Sequence, residues 1–401
     1  MTGRSSKLVS ESAQHATLNP TGTLRGTQRA SLAIIVVSYN VRELLRACLR
    51  ATCASLARAP EFDATVWVVD NASADASAEM VAAEFPQVHL IASRENLGFA
   101  GGNNLALRAL GFGEGFARRG GAEGSGGAEE QRGGGAAARE RRSVGADSSR
   151  TTDYALRTTE YAPHSTQHAT QPDLILLLNP DAEPVDDAIG QMVRFLLAHP
   201  EVGGAGAQLR YPDGRFQHGA FRFPGLFQLW VDLFPPRPRR LLDSRLNGRY
   251  PRSAYDAGRP FPIDFALGAA LMVPGAAIEA AGLLDEGYFM YAEEVDWCWR
   301  IRRAGWPFYC VPSAVVTHHG GASTRQFRSQ SFMNLWRSRR RLYGRFYSPV
   351  RRWLAGRIVR LGMQAEARRA RGAAARGEMT AAEMADRVTA AQGVEDLFAA
   401  W

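Results

Sequence analysis

The sequence has few cysteines, and none is spaced like those of common metal or redox motifs. Its 401 residues include four, at positions 48, 53, 298 and 310, with no CxxC pair and no histidine at zinc-finger spacing. Disulfide frameworks and structural zinc sites depend on recognisable cysteine spacings. Their absence argues against both and favours a reduced, intracellular protein.

Long apolar runs are also missing. The most apolar short run covers 33–37, whereas a membrane-spanning helix needs roughly 20 apolar residues. Residues 1–30 are polar and rich in Ser, Thr and Gly, without the apolar centre of a signal peptide. We therefore expect a disordered leader over 1–30 and a cytoplasmic protein, with peripheral contact to the inner face of the cytoplasmic membrane left open.

The usual nucleotide-binding motifs are absent as well. No GxGxxG follows the first apolar run and no GxxxxGK[ST] occurs, which argues against a dinucleotide-binding dehydrogenase and a P-loop enzyme. The formal net charge is +8, but the arginines crowd into 111–170 and the C-terminal region. That distribution does not predict a nucleic-acid-binding surface, so we expect no nucleic-acid partner.

Two changes in composition divide the chain. Residues 111–170 are dominated by Gly, Ala, Arg and Glu and cannot bury enough apolar area to offset the entropy of ordering. We interpret them as a disordered insertion in a domain that covers 31–325. Residues 326–401 are basic and predicted to form a helical C-terminal tail.

Apolar runs typical of buried strands alternate with segments whose apolar residues recur at helical spacing. Strands are predicted within 31–40, 65–73, 88–93, 173–181, 267–274 and 307–319, and helices within 41–59, 74–85, 101–110, 185–198 and 293–305. This alternation predicts an α/β fold, with a mainly parallel sheet flanked by helices.

In such folds ligands bind at the carboxyl ends of the strands. Polar residues follow several predicted strands and should converge at one edge of the sheet: Ser38, Tyr39, Asn40, Asp70, Asn71, Ser73, Asn179, Asp181, His318 and His319.

Each of these residues also has an ordinary structural explanation. Asp70 can accept a hydrogen bond from N3–H of a pyrimidine base, or it can cap the following helix. The segment from Gly98 to Gly102 can present helix-start amides to phosphate, or it can form a tight turn. Asp181, with Glu183 and a strand-end histidine, suits Mg²⁺ or Mn²⁺, although an aspartate in a turn is common.

Three acids, Glu293, Glu294 and Asp296, lie within four residues. Acids at a helix start are favoured by the helix dipole, which is the simple explanation. The alternative is a general base that takes the proton from an attacking hydroxyl.

Taken in order, these segments resemble the family 2 inverting glycosyltransferases of the GT-A fold, in particular a bacterial rhamnosyltransferase-like branch. The matching segments are VVSYN (36–40), VVDNASAD (68–75), NLGFAGGNN (96–104), LLLNPDAEP (177–185), GAALMV (268–273), LLDEGYFMYAEEVDWCWRIRRAGW (283–306) and VVTHHGG (315–321). The resemblance covers about 31–110 and 171–325.

The resemblance implies a role for each strand-end group. It implies donor binding by Ser38, Tyr39, Asn40, Asp70, Asn71, Asn96, Gly98, Gly102, Asn103 and Asn179, with Asp70 on the pyrimidine ring. Asp181 and His318 would bind the metal, and Glu294 would be the catalytic base. Glu293, Asp296, Trp297 and Asp285 would lie on the acceptor side. The chain departs from the family at Glu294, where an aspartate is usual, and in the insertion.

The implied reaction is a metal-assisted single displacement. The donor would be a UDP- or dTDP-sugar with Mn²⁺ or Mg²⁺, and the acceptor a hydroxyl of a glycan or lipid-linked glycan, the transferred sugar being rhamnose or another hexose. A nucleotidyltransferase and a catalytically inactive sugar-nucleotide-binding module remain alternatives. The arginines and aromatic residues at 336–361 suit an anionic membrane surface, and equally a helix packed on the domain.

Overall fold

The computed structural model describes residues 29–113, 171–235, 247–320 and 328–401. The leader predicted at 1–30 and the insertion predicted at 111–170 lie almost entirely outside these residues, so both stay predictions. The part before the insertion and the part after it contribute to one central sheet.

The first part of the sheet is parallel. It consists of β1 (Ser31–Ser38), β2 (Asp63–Asp70), β3 (His89–Ala92) and β4 (Leu174–Leu178), in the order β3-β2-β1-β4. The connecting helices are α1 (Arg42–Leu56), α2 (Ser77–Glu84) and α3 (Gly98–Ala109). Ala33 and Ile35 of β1 join one core cluster, and Leu32, Ile34 and Val36 join the other. Both faces of the strand are therefore covered, which explains why its sequence is continuously apolar.

The second part mixes directions. Beyond β4 the sheet continues in the order β11 (Ala270–Pro274), β6 (Gly204–Arg210), β12 (Phe308–His318) and β5 (Ala182–Pro184). Strand β11 is antiparallel to β4, and β12 is parallel to β6. The short strands β7 (Phe216–Gln217) and β9 (Phe261–Ile263) pair with β6 and β12, and β8 (Ala220–Phe221) pairs with β10 (Phe265–Ala266). The helices are α4 (Ala188–Ala198), α5 (Leu226–Leu233), α6 (Arg252–Asp256), α7 (Gly275–Ala281) and α8 (Glu293–Arg303). The α/β fold class is confirmed.

Three helices end the chain: α9 (Arg328–Phe346), α10 (Pro349–Ala375) and α11 (Ala381–Leu397). Side chains from all three join the core cluster that contains Tyr288 and Trp297. The described part of the predicted C-terminal tail is thus helical and packs on the α/β domain. Within the described ranges, no helix is long and apolar enough to cross a bilayer.

Candidate active site

The ends of β1 and β2 form the first part of the site. Ser38 and Asp70 are register partners, and the amide of Asn71 donates to the Ser38 carbonyl over 2.8 Å. Asn40 adopts a left-handed conformation, with φ at +53°, and its amide donates to Ser73 Oγ over 3.0 Å. These bonds lock the loops after the two strands together; half-buried Tyr39 lies between Ser38 and Asn40.

One carboxylate oxygen of Asp70 is buried and is not paired within the described part of the chain. Its Oδ2 accepts from the amide of Ser73 over 3.0 Å, while Oδ1 and the neighbouring Ser38 Oγ are buried and have no hydrogen-bond partner among the described residues. Burial raises the pKa of the Asp70 carboxyl. Asp70 does not cap α2, because Asp75 accepts the Ser77 amide there. Since buried polar atoms are nearly always paired, these two oxygens indicate a place for a polar ligand.

The glycine-rich segment is a packing turn. The amide of Gly98 donates to Asn96 Oδ1 over 2.9 Å, and that of Phe99 donates to the Phe289 carbonyl over 3.0 Å. Gly98 has φ at +71°, and a side chain there would collide with Phe289 O. A side chain at Gly102 would come within 2.7 Å of Val37. Because these two helix-start amides are already used, the structure supports the tight-turn explanation and not a phosphate cradle at Gly98 and Phe99.

Two asparagines predicted to bind the donor are engaged by the protein itself. Asn71 Nδ2 donates to Gly98 O over 2.9 Å and to Asn96 Oδ1 over 3.2 Å. Asn103 Nδ2 donates to Phe99 O over 2.8 Å, and both residues are buried. These bonds hold the turn in place, and a contact of either side chain with the donor stays a prediction.

Asp181 and His318 meet where β5 pairs with β12. Asp181 Oδ1 lies 3.4 Å from His318 Nε2, and both side chains are almost completely buried. The amide of His319 donates to the Asp181 carbonyl over 3.0 Å, which fixes the loop against the strand. Asn179 Nδ2 lies 3.5 Å from His318 Nε2. The predicted convergence of Asn179, Asp181 and His318 is therefore present.

Gln217, on the short strand β7, orients His318. Its Oε1 lies 3.2 Å from His318 Nδ1, so the proton on Nδ1 is the one that can be donated. Nε2, which faces Asp181, then carries the lone pair. A histidine that binds a metal through Nε2 needs this tautomer. Nothing in the sequence around Gln217 indicated this contact.

The residues at this edge fit a divalent cation that is shared with a substrate. The described ranges hold no cluster of three or more His, Cys, Asp or Glu side chains able to bind a metal. Glu183, predicted to accompany Asp181, instead lies 2.8 Å from His319 Nε2. Asp181 and His318 would thus supply one oxygen and one nitrogen, and Mg²⁺ commonly binds one or two carboxylates together with substrate phosphates.

Glu294 lies beside this edge. A side chain on Gly268 would come within 3.8 Å of Glu294 Cβ and 3.3 Å of Phe99 Cζ, and the carbonyl of the next residue, Ala269, accepts the Asn179 amide over 3.0 Å. The backbone before α8 is strained, with φ at +71° for Tyr291. Such strain is often found at functional sites.

The two neighbouring glutamates differ in exposure. Glu293 is 4% exposed, whereas Glu294 retains partial access to solvent. Burial raises the pKa of Glu294 to about 7. Burial, and then the charge of Glu294, raise the pKa of Glu293 well above its usual range. Glu294 therefore combines access with the acidity that suits a general base near neutral pH.

The other acids and the tryptophan predicted on the acceptor side make structural contacts. Asp296 is fully buried and lies 2.8 Å from Arg300 Nε and 3.1 Å from Arg345 Nη1. Trp297 is also fully buried and donates to the Gly282 carbonyl over 2.8 Å. Asp285 pairs with both Arg341 and Arg345. Asp296 thus joins α8 to α9, Asp285 joins the loop before α8 to α9, and Trp297 holds α8 against the turn at Gly282. A role of these residues on the acceptor side stays a prediction.

Comparison with known proteins supports the resemblance. Residues 33–110 match the family described as Glycosyl transferase family 2. The chain is 26% identical over 295 residues to the N-acetylglucosaminyl-diphospho-decaprenol L-rhamnosyltransferase of Mycobacterium tuberculosis, covering 73% of this chain and 77% of that one. A second relative, the rhamnosyltransferase WbbL of Escherichia coli, is 31% identical over 70 residues, or 18% of this chain and 26% of its own.

The likeness to solved structures is distant. The mannosyltransferase PcManGT from Pyrobaculum calidifontis, in complex with GDP-Man and Mn²⁺, aligns with a TM-score of 0.46 at 16% identity, over 93% of this chain and 87% of that one.

Proposed function

We propose that the chain, whose residues 33–110 match the family described as Glycosyl transferase family 2, is a glycosyltransferase that moves rhamnose or another hexose from a UDP or dTDP donor to an acceptor hydroxyl, with inversion. The acceptor would be a glycan or a lipid-linked glycan. The mycobacterial relative is an N-acetylglucosaminyl-diphospho-decaprenol L-rhamnosyltransferase, which supports both the sugar and the lipid-linked class of acceptor.

The pocket at the ends of β1 and β2 supports a pyrimidine nucleotide. Uracil and thymine carry one N–H donor, at N3, between two carbonyl acceptors. Asp70 Oδ1, buried and without a partner among the described residues, would accept from N3–H, and the Ser38 hydroxyl would donate to a carbonyl. Such a ligand would satisfy both of these atoms.

Asp181 and His318 would hold a divalent cation against the donor diphosphate. Their buried pair, 3.4 Å apart, is the observation that supports this assignment. When bound, the cation would offset the negative charge that develops on the leaving diphosphate. Gln217 would keep His318 oriented for this role.

Glu294 would act as the general base. Its carboxylate would take the proton of the acceptor hydroxyl while that oxygen forms a bond to the anomeric carbon. The bond from this carbon to the diphosphate oxygen would break on the opposite face, and the nucleoside diphosphate would leave. One displacement inverts the anomeric centre without a covalent enzyme intermediate.

The observation that carries the whole proposal is the convergence of three groups at one sheet edge: the incompletely paired Asp70, the Asp181–His318 pair and Glu294. The test is a panel of UDP- and dTDP-sugars, with and without Mn²⁺, read by thermal shift and by release of nucleoside diphosphate with glycan acceptors. We expect a pyrimidine diphosphate to stabilise the protein more with Mn²⁺ than without. Binding without any transfer across the acceptor panel, or no binding at all, would contradict the proposed reaction.

We also propose that the enzyme is cytoplasmic and works at the inner face of the cytoplasmic membrane, where a lipid-linked acceptor would be found. The arginines and aromatic residues at 336–361 support this location.

A further inference from the structure

Exposed apolar side chains concentrate on two helices. Over the described ranges, eight large apolar side chains are exposed, and six of them belong to α5 and α10. These six define the α5–α10 face: Phe227, Trp230, Val350, Trp353, Leu354 and Leu361. An apolar surface of this kind usually marks an interaction site.

Helix α10 has two apolar stripes on opposite sides. At 100° per residue, Val350, Trp353, Leu354 and Leu361 fall within an arc of about 100°. The small buried residues, among them Gly356 and Val359, lie on the other side of the helix. Packing on the protein therefore accounts for one stripe only, and the more bulky stripe remains in solvent.

Helix α5 packs along α10. A side chain on Gly362 of α10 would come within 2.7 Å of Leu233, and the hydroxyl of Tyr347, just before α10, donates to the Pro224 carbonyl over 2.9 Å. Phe227 and Trp230 lie on successive turns of α5, where both are exposed. The exposed apolar residues of the two helices thus belong to neighbouring elements.

The charge around this face is positive. Between 337 and 360 the sequence has nine arginines and no acidic residue. Those of α9 nearest to the domain are neutralised, for example Arg339 by Asp232 and Arg345 by Asp285. Between the start of α10 and residue 360, four arginines have no ion pair with any described residue: Arg351, Arg352, Arg357 and Arg360. The Arg357 guanidinium lies 5.8 Å from the ring of Trp353, so charge and apolar surface are adjacent.

We propose that the α5–α10 face binds the anionic surface of a phospholipid bilayer. Tryptophan and leucine would enter the interfacial layer while the unpaired arginines contact lipid phosphates. The charge argues against a second copy of the chain as the occupant. A two-fold dimer would bring the same arginine-rich surface of each copy together, without acidic residues between 337 and 360 to compensate.

This orientation would also place the candidate active site near the membrane. Ser338 Oγ of α9 donates to the Met290 carbonyl over 2.7 Å, so the helix preceding α10 holds the 288–291 loop before Glu294. Phe289 of this loop is exposed. A lipid-linked acceptor would then approach from the bilayer, a step that rests on the proposed function, whereas lipid binding itself does not.

The test is co-sedimentation of the full chain with vesicles of phosphatidylcholine alone, or with about a third phosphatidylglycerol, at rising salt. We expect binding to the anionic vesicles only, weakened by salt. The double variant Trp353→Ser, Leu361→Ser should weaken it about tenfold or more, and so should Arg351→Glu, Arg357→Glu. The matched controls are Tyr211→Ser, an exposed aromatic elsewhere, and Arg259→Glu, an exposed arginine elsewhere; both should bind as the wild type does.

A second measurement locates the face. Brominated lipids should quench tryptophan fluorescence, and Trp353→Phe should bind equally well yet show less quenching. Equal binding to neutral and anionic vesicles, no effect of the α10 variants, or a dimer that these variants dissociate would overturn the proposal. Transfer to a water-soluble acceptor distinguishes the two proposals. If transfer to this acceptor is retained but the protein does not bind vesicles, only the membrane-binding face is refuted. If the protein binds vesicles but transfers no sugar, only the proposed reaction is refuted.

Discussion

The replacement Glu294→Gln should lower the rate of transfer and, above neutral pH, raise the stability of the protein. Both effects follow from the raised pKa of Glu294. Glutamine keeps the shape of the side chain and removes the base. Transfer should fall about a hundredfold or more, the usual contribution of general-base catalysis. Donor binding should change little, because the base contacts the acceptor and not the diphosphate. The measurement is steady-state release of nucleoside diphosphate, with donor binding measured separately by calorimetry.

The pH dependence follows from the pKa of about 7. A general base works when deprotonated, so kcat/KM should rise with pH and level off above neutrality. At pH 6 roughly a tenth of the enzyme would carry the ionised base, which predicts a rate about tenfold below the plateau. The groups that interact with Glu294 are Glu293 and Cys298. Because Glu293 titrates with it, the observed midpoint belongs to the pair.

The stability of the folded protein changes with pH in the opposite direction to kcat/KM. In the unfolded chain Glu294 ionises near its ordinary value of 4.5, whereas in the folded protein it keeps its proton until about pH 7. The folded state binds more protons in this window, so stability falls as the pH rises from about 4.5 to 7 and is constant above it. The loss amounts to about 3 kcal/mol at most. Glu294→Gln should therefore melt at a higher temperature than the wild type at pH 8, with the difference vanishing near pH 4.5.

Two further variants make this prediction refutable. Glu294→Asp introduces the residue type expected from the resemblance to the family 2 glycosyltransferases and should keep more transfer than the glutamine variant, because a base remains. Glu293→Gln makes the same charge change one residue away, and residues about 100° apart on a helix cannot both face the acceptor. Loss of transfer in Glu293→Gln but not in Glu294→Gln would place the base at 293. A flat wild-type rate between pH 6 and 8, with an active Glu294→Gln, would refute the role of α8 in catalysis.

Four other outcomes are expected. Asp181→Asn should weaken nucleoside diphosphate binding in calorimetry only when Mn²⁺ is present, whereas Asp186→Asn, an exposed acid close by, should not. Asp70→Asn should weaken UDP or dTDP binding about tenfold, because a charged acceptor for N3–H is lost, and equal affinity would remove Asp70 from the pocket. Asp296→Ala should destabilise the protein by about 3 kcal/mol in denaturant unfolding, because it leaves buried arginine charge unpaired. Gly98→Ala should lower the melting temperature by several degrees through its positive φ and the clash with the 288–291 loop; an unchanged melting curve would contradict that contact.

The sequence identified the strands that consist of apolar runs, but neither β6 nor the strands of two or three residues. β1 and β4 are buried on both faces, so they appear as continuous apolar runs. β6 escaped notice because its sequence, GAGAQLR, contains glycines that the packing requires: side chains at Gly204 and Gly206 would collide with Phe308 and Ala266. Strands of two or three residues, such as β5 and β7, are too short to show any periodicity.

The same limits apply to the site. Asp70, Asp181 and His318 could be proposed from the rule that strand ends meet, because each lies at the end of an apolar strand or a few residues after it. Gln217 could not be proposed in this way, since it lies on a two-residue strand and would affect the metal only by orienting His318. Asn71 and Asn103 donate to backbone carbonyls 27 and four residues away in the chain, which the sequence motifs did not indicate. A polar side chain in a motif indicates that a hydrogen bond is made there, but only the tertiary structure shows whether its partner is the protein or a ligand.

The C-terminal helices bear on both proposals at once. The core cluster runs across the boundary predicted at 325, since Trp336 and Tyr343 of α9 pack in the cluster that contains Trp297 of α8. The buried carboxylate of Asp296 has one of its two cationic partners, Arg345, on α9. The helix that supports the candidate base is therefore held by the helix that leads into the α5–α10 face. Because α8, α9 and α10 pack in one core cluster, binding of that face to lipid would hold the candidate base at a fixed distance from the bilayer. A lipid-linked acceptor could then reach the base without any change in the fold.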